Sequence, residues 1–306
     1  MAGLILAGGD GTRLRPLTRR IAGDERPKQF CRLLHRETLL EQTLRRAGRL
    51  IPPEQTLTVV VRAHERFYAP LLAGVPAPGL VIQPENRGTA PAILYGLLCL
   101  AAVAPASAVA ILPSDHYVSD DDRFMAHVGA AFHAARLRPD LVILLGSVPS
   151  TPEPEYGWIE PAYAMPIEPR GRLSRVRRFW EKPPPALARR LLALGCVWNT
   201  FVMVASVHTL LALVKEALPE LYELFAAIQP AIGTSSESEA VEALYAQIPS
   251  IDFSRHVLAT CPANLAVLGL SGVEWDDLGE PRRVMAKLAR IGVHPEWAGP
   301  EAAVFA

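Results

Sequence analysis

The chain has 306 residues, half of them hydrophobic, and its 31 Lys and Arg balance 31 Asp and Glu. A general nucleic-acid binder carries a basic excess, so a neutral chain argues against that class. Four scattered cysteines (Cys31, Cys99, Cys196, Cys261), with no CxxC pair, read as reduced thiols rather than a disulfide or zinc framework.

Met1 runs straight into an apolar stretch with no basic leader, and no apolar run reaches the ~20 uninterrupted residues that a bilayer requires. A soluble, cytoplasmic protein is expected. Along the chain, strand patterns at Gly3–Ala7, Leu57–Arg62, Leu80–Gln83, Val109–Leu112 and Leu141–Leu145 alternate with helix patterns at Thr38–Leu50, His64–Leu72, Thr89–Val103 and Arg123–Leu137. This alternation predicts an α/β fold, a Rossmann-like, mostly parallel sheet flanked by helices. The apolar runs near Val109 and Leu141 fit strands buried on both faces. From about Thr151 proline rises. Strand-like pieces appear at Tyr156–Glu160, Arg175–Trp180 and Val197–Ala205, and helices at Ala186–Leu194, Val207–Leu218, Leu221–Gln229 and Glu237–Gln247. Residues 1–150 are therefore expected to form a core, and residues 151–306 a smaller lobe and closing helices of the same domain. Gly233–Glu239 is expected to be a mobile loop, and Arg19–Arg26 a long basic loop.

In open sheets of this type ligands sit beyond the carboxyl ends of the strands, and the chemistry-bearing residues fall there. The first strand runs into Leu6-Ala7-Gly8-Gly9-Asp10-Gly11-Thr12-Arg13-Leu14. Three glycines permit a tight turn and close approach to an anion, and their amides can cradle phosphate oxygens. Arg13 adds a fork of donors for the same oxygens, and Lys28, in Pro27-Lys28-Gln29-Phe30, is a candidate second cation. A plain strand-to-helix turn would need the same glycines. A dinucleotide fingerprint is disfavoured because its third glycine is missing, and a Walker A loop because no Gly-Lys-Ser/Thr follows. Asp115 ends an apolar strand in Pro113-Ser114-Asp115-His116, a place where a carboxylate suits Mg²⁺, although a loop-capping role would look alike.

The Gly-rich stretch followed by Pro27-Lys28-Gln29-Phe30 resembles the signature of the sugar-1-phosphate nucleotidylyltransferases, and within them is most similar to the mannose-1-phosphate guanylyltransferases. The similarity continues in order through Gln83-Pro84-Glu85-Asn86-Arg87-Gly88-Thr89-Ala90-Pro91-Ala92, Pro113-Ser114-Asp115-His116, Tyr156-Gly157-Trp158-Ile159, Phe179-Trp180-Glu181-Lys182-Pro183, Trp198-Asn199-Thr200-Phe201, Ser250-Ile251-Asp252-Phe253 and Trp275-Asp276-Asp277-Leu278-Gly279. Two departures stand out. Gly88 replaces a usual asparagine, and Gly279-Glu280-Pro281 stands where a Ser-Trp-like pair is common.

The resemblance implies transfer of a nucleotidyl group from GTP to mannose-1-phosphate, giving GDP-mannose and pyrophosphate. It implies nucleotide contacts from Leu6, Ala7, Gly8, Gly9, Gly11, Thr12, Arg13, Lys28, Gln83, Gly88 and Thr89, with the base read near Gln83 and Gly88. It implies sugar-phosphate contacts from Gly157, Glu181, Lys182, Asn199 and Asp252, and Mg²⁺ on Asp115 and Asp277, with Asp276 as a rival ligand. Arg13, Lys28, Asp115 and Lys182 would carry catalysis. Asp252 could equally be a helix N-cap, Glu181–Lys182 a solvated pair and His116 a local hydrogen-bonding residue. Small-molecule substrates are the expected partners, without nucleic acid or membrane, and a homo-oligomer stays open. No long C-terminal isomerase or β-helix domain is expected. Another NTP or hexose-1-phosphate, or a catalytically silent nucleotide-sugar sensor, are the competing readings.

Overall fold

In the computed structural model, which describes residues 1–74, 79–166, 172–295 and 297–298, the apolar opening forms strand β1 (Ala2–Leu6). Helix α1 (Arg15–Ala22) follows, with Pro16 in its first turn and Gly23 closing it in the left-handed conformation. The first half of the expected Arg19–Arg26 loop is therefore helical. Proline near the start and glycine just past the end are helix-boundary signals, here hidden by a short, arginine-rich sequence. Helix α2 (Leu39–Ala47) is opened by a reciprocal Thr38–Glu41 cap. Then come β2 (Thr56–Val61), α3 (Glu65–Leu72), β3 (Leu80–Gln83), α4 (Thr89–Val103), β4 (Ala108–Pro113), the short β5 (Tyr117–Val118), α5 (Asp121–Leu137) and β6 (Val142–Ser147).

The later chain supplies β7 (Gly157–Pro166), β8 (Arg172–Glu181), α6 (Pro185–Ala193), β9 (Val197–Ser206), α7 (Val207–Ala217), α8 (Pro219–Ile228), α9 (Glu237–Tyr245), β10 (Leu265–Leu270), β11 (Trp275–Asp276) and α10 (Pro281–Ile291). Strand order in the large sheet is β3-β2-β1-β4-β9-β6-β10-β8-β7, with β9 also pairing β7. Strands β3, β2, β1 and β4 run parallel, as do β6 and β10. All other pairings in this sheet are antiparallel. The sheet is thus mixed, and the expectation of a mostly parallel one holds for its first four strands and for the β6–β10 pair. The physical reason is β9. It enters between β4 and β6 with reversed direction and so joins the later chain to the earlier strands in one sheet.

Strand alternation sorts the core to the two faces. Leu4, Val59, Ile111 and Leu144 pack with α4, α7, α8 and α9. Their neighbours Ile5, Val60, Leu112 and Leu145 pack with α2, α3 and α5. A smaller cluster joins Leu14, Leu17 and Leu34 to Leu278, Val284 and Leu288, tying α1 to α10 beside the end of β1. The expected mobile loop Gly233–Glu239 is pinned instead: Glu237 already belongs to α9, accepts from Gly233 N (2.7 Å) and accepts from the Tyr95 hydroxyl (2.6 Å).

Candidate active site

A cleft of about 440 Å³ opens beyond the carboxyl ends of β1, β3 and β4. Its first wall is the Gly-rich loop. Gln29 is almost completely buried and donates from Nε2 to the carbonyls of Ala7 (3.0 Å) and Gly9 (2.7 Å), which fixes the loop from below. Gly11 takes φ 56°, and a Cβ there would stand 3.0 Å from Lys28 N, so glycine is required on both counts. Asp10 accepts from Asn86 Nδ2 (2.8 Å), and Asn86 Oδ1 accepts in turn from Gly88 N (2.9 Å), linking the loop to the start of α4. Gly88 has φ 84° and lies under the Ile251 carbonyl, where a Cβ would approach to 2.5 Å. Thr89 Oγ1 accepts from Phe253 N (2.8 Å).

At the floor, Lys28 Nζ stands 3.2 Å from Asp115 Oδ2 and donates to the Asp277 carbonyl. Asp115 is partly buried, with 28 % of its side chain exposed, and it lines the cleft. Burial alone would raise its carboxyl, but the charge of Lys28 and its hydrogen bond outweigh that and hold it below the ordinary value. Burial pushes His116 down, favouring neutral imidazole, and its Nδ1 accepts from Trp275 Nε1 (3.3 Å). Asp277 lines the cleft. Its Oδ1 accepts from Tyr156 Oη (3.1 Å) and Gly279 N (2.8 Å). Asp276 turns away toward Arg283 (3.1 Å) and accepts from Leu278 N (2.8 Å). Arg13 stands at the rim, half exposed, and pairs with Glu155 at 3.3 Å.

The opposite wall comes from β7, β8, β9 and the segment after α9. Gly157 pairs with Glu181 across β7–β8, and a Cβ on it would lie 3.1 Å from Glu181 Oε2 and 3.2 Å from Asn199 Cβ. Burial pushes the Glu181 carboxyl up to about 7, and Asp252 adds to the rise. Asn199 Oδ1 accepts from Phe201 N (3.1 Å), beside an irregularity in the β6–β9 pairing. Asp252 lines the cleft and also accepts from Arg255 N (2.8 Å) in the turn that follows it. Lys182 (φ 47°), Phe201 (φ 60°) and Leu278 (φ 50°) are the described non-glycine residues with left-handed backbone, and each lines the cleft or adjoins a residue that does. Such backbone costs on the order of 1–3 kcal/mol and collects at functional sites. Glu181 lines the cleft, while Lys182, just past the end of β8, is exposed.

Comparison with known proteins decides the relationship. The family model described as "Nucleotidyl transferase" matches residues 2–290. The chain belongs to the nucleotidyl transferase family. Among curated relatives it is 33 % identical over 229 residues to the alginate biosynthesis protein AlgA of Pseudomonas aeruginosa, covering 73 % of this chain and 45 % of that one. It is 30 % identical over 281 residues to a mannose-1-phosphate guanylyltransferase of Sinorhizobium fredii, covering 90 % and 52 %. The chain therefore spans about half the length of these curated relatives. The crystal structure of a mannose-1-phosphate geranyltransferase from Thermus thermophilus superposes with a TM-score of 0.78 at 34 % identity, covering 93 % of this chain and 79 % of that one.

For this member of the nucleotidyl transferase family, the structure gathers Leu6, Gly8, Gly9, Gln83, Gly88, Thr89, Asp115, Gly157, Glu181, Asn199, Asp252 and Asp277 around the cleft. The rest stand back from its lining. Ala7 is buried and donates to Val59 O (2.8 Å). Gly11 lies under Pro27, Thr12 begins a short helical turn, and Arg13 is at the rim. Lys28 is beneath the carboxylates, and Lys182 is exposed after β8. Sequence reasoning missed Tyr156, which holds Asp277, and Arg283, which lies over the Tyr156 ring (4.4 Å) and near both Asp276 and Asp277. Tyr156 heads the Tyr156-Gly157-Trp158-Ile159 motif, but its bond to Asp277 spans 121 residues, and an arginine in an amphipathic helix such as Arg283 is ordinary. No described helix is long and apolar enough to cross a membrane.

Proposed function

We propose that the chain transfers a nucleotidyl group from GTP to mannose-1-phosphate, releasing pyrophosphate and forming GDP-mannose in the cytoplasm. The observation that carries this reading is Lys28, which bonds both the Asp115 carboxylate and the Asp277 carbonyl and so gathers three separate motifs beneath the Gly-rich loop. Residues up to about 150 supply the nucleotide side. Later residues supply the sugar-phosphate wall and the closing helices.

The nucleophile is a phosphate oxygen of the sugar-1-phosphate. It bonds to the α-phosphorus as the bond from α-phosphorus to the bridging oxygen breaks, and that electron pair leaves on pyrophosphate. An anionic nucleophile needs no general base, so catalysis is positioning and charge neutralisation. The loop amides of Gly8, Gly9 and Gly11 cradle the triphosphate. Arg13 exchanges Glu155 for phosphate oxygens, and Lys28 stabilises the charge that gathers on the leaving group. Lys182 holds the sugar phosphate, while Glu181, Asn199 and Asp252 take sugar hydroxyls.

Among the described residues no three His, Cys, Asp or Glu side chains converge as a metal cluster. Mg²⁺ needs fewer, since it takes one or two carboxylates and completes its shell with water and substrate phosphates. Asp115 and Asp277 both face the cleft and offer hard oxygen donors, so they fit it. Bound there, Mg²⁺ would neutralise phosphate charge.

Pyrophosphate release with GTP and mannose-1-phosphate tests the reading, each substrate then being replaced by another NTP or hexose-1-phosphate. Turnover highest with the original pair supports it. Preference for another pair corrects the substrates, and nucleotide binding without pyrophosphate release would leave a silent sensor.

A further inference from the structure

The Gly-rich loop carries a carboxylate among donors. From Gly8 to Arg13 no backbone N–H has a hydrogen-bond partner among the described residues, so a run of donors stands unused beside the cleft. Asp10 lies in the middle of that run, where its charge opposes any anion the amides would hold. Its histidine neighbour does not cancel that charge. His64 Nε2 stands 3.3 Å from Asp10 Oδ1, but burial pushes the imidazole pKa down, and the ring is neutral at pH 7. His64 Nδ1 is buried without a partner, so the ring proton belongs on Nε2, facing the carboxylate.

The other oxygen, Oδ2, accepts from Asn86 Nδ2 at 2.8 Å, and Asn86 Oδ1 accepts from Gly88 N at 2.9 Å. A carboxylate only accepts and a backbone N–H only donates, so both partners select the same orientation of the Asn86 amide. The far end of this link is fixed. Ile251 N donates to the Arg87 carbonyl (2.9 Å) and Ala90 N to the Ile251 carbonyl (3.0 Å), which holds the chain on both sides of Gly88. The near end is not packed. A Cβ added to Gly9 would meet nothing within 4 Å. Gln29 holds the carbonyls of Ala7 and Gly9 from below, and Asp10 reaches sideways to the start of α4.

We propose that Asp10 is a positioning residue for the phosphate-binding loop: its carboxylate, through Asn86, ties the loop to the start of α4 and so holds the amides of Gly8, Gly9 and Gly11 in place for phosphate. Two effects of Asp10 then oppose each other. The tether strengthens anion binding, and the charge weakens it. Asp10 is 42 % exposed, and salt screens exposed charges beyond about 8 Å, so the tether is the larger effect. The inference rests on the reading that this loop binds the triphosphate of a nucleotide.

Equilibrium binding tests it without requiring turnover. Dissociation constants for inorganic tripolyphosphate, GTP and mannose-1-phosphate are measured by calorimetry. The proteins are the wild type, Asp10→Ala, Asp10→Asn, Asn86→Ala and the double variant Asp10→Ala/Asn86→Ala. Tripolyphosphate has neither base nor sugar, so it reports the loop alone. Asp10→Ala is expected to weaken tripolyphosphate and GTP by about two- to tenfold, the worth of one hydrogen bond, although a negative charge is lost. Asn86→Ala should weaken them alike, and the double variant should be no weaker than Asp10→Ala, because both substitutions cut one link. Asp10→Asn keeps an acceptor for Asn86 without the charge, and should bind tripolyphosphate at least as tightly as the wild type. Affinity for mannose-1-phosphate should not change. Tighter tripolyphosphate binding by Asp10→Ala would reduce Asp10 to a repelling charge and overturn the inference. So would losses that multiply in the double variant, a loss in Asp10→Asn as large as in Asp10→Ala, or an equal loss for mannose-1-phosphate. If the wild type binds neither tripolyphosphate nor GTP, the nucleotide reading falls and the inference with it. The expected pattern without pyrophosphate release overturns the transferase reading alone.

Discussion

On the wall built from the β1 loop, glycine backbone faces the cleft at Gly8 and Gly9, fixed from below by Gln29. On the wall built from β7, β8 and β9, side chains face it, chiefly Glu181, Asn199 and Asp252. The charges differ as well. The first wall's cations already have acidic partners, Lys28 with Asp115 and Arg13 with Glu155. The second wall sets the Glu181 carboxyl near Asp252, and burial with that neighbour raises its pKa. The first wall is suited to anions that exchange for its carboxylates. The Glu181, Asn199 and Asp252 part of the second is suited to neutral hydroxyl-bearing groups, which accept or donate without adding charge, and Lys182 beyond it is the proposed holder of the sugar phosphate.

That contrast predicts where single substitutions hurt most. Lys28→Met should have the largest effect, a fall in turnover of about 10³-fold, the upper end for loss of one group aimed at developing charge. It should also change the pH dependence of stability. In the wild type the Asp115 carboxyl is held below its ordinary 3.8, so its contribution is present at neutral pH and is lost as pH falls through the depressed value. Without Lys28 the balance moves toward burial, which raises the carboxyl. Thermal denaturation from pH 4 to 8 should then show stability falling as pH rises through the new value. If Glu181→Gln or Asn199→Ala costs more turnover than Lys28→Met, the contrast between the walls is wrong.

Arg13→Ala comes next. A fall in kcat of about 10²-fold is expected, with little change in melting temperature. Arg13 and Glu155 are both nearly half exposed, and an exposed pair contributes on the order of 0–1 kcal/mol. Full turnover in the folded variant would remove Arg13 from the chemistry.

The same contrast explains what could be read from sequence. The Gly-rich loop, Asp115 after a buried apolar strand and α4 over Thr89–Val103 all carry local signals, and they fall where expected. The bridge from Lys28 to Asp277 joins residues 249 apart, a pairing no spacing rule contains. Lys182 and Phe201 take left-handed backbone without being glycine, so nothing in their identity announces the turn. Strand β10 escapes the sequence reading although Leu265–Leu270 is almost wholly apolar. It is a short run beside β6 and β8, and its place there depends on partners far away in sequence. The reversal of β9 that makes the sheet mixed is likewise a tertiary choice, because alternation of strand and helix does not encode strand direction.

On the second wall the sharper test is pH. Glu181 has its pKa raised to about 7 from 4.5, so the folded chain holds a proton that the unfolded chain releases. Its contribution is fully present below about 4.5 and is lost as pH rises toward 7. Denaturant unfolding between pH 5 and 8 should show this loss, and Glu181→Gln should flatten it. The affinity for the proposed sugar phosphate should follow the same titration in the wild type only. An unchanged profile in Glu181→Gln would mean that the second wall is not built around a protonated carboxyl.

The smallest effect belongs to Glu155→Gln at the rim. Glu155 accepts from Arg13 at 3.3 Å, so under the proposed function a triphosphate would compete with it for the guanidinium. Removing the charge takes away that competitor and leaves the loop and floor untouched. An exposed pair is worth about 0.2–1 kcal/mol, so KM for the nucleotide should fall by about 1.4- to fivefold while kcat stays the same. Raising the ionic strength should erase the difference, since salt screens exposed pairs. A rise in KM would show that Glu155 contacts substrate itself. The first wall would then present an acidic side chain to its ligand, and the division between an anion-binding wall and a hydroxyl-binding wall would fail at the rim.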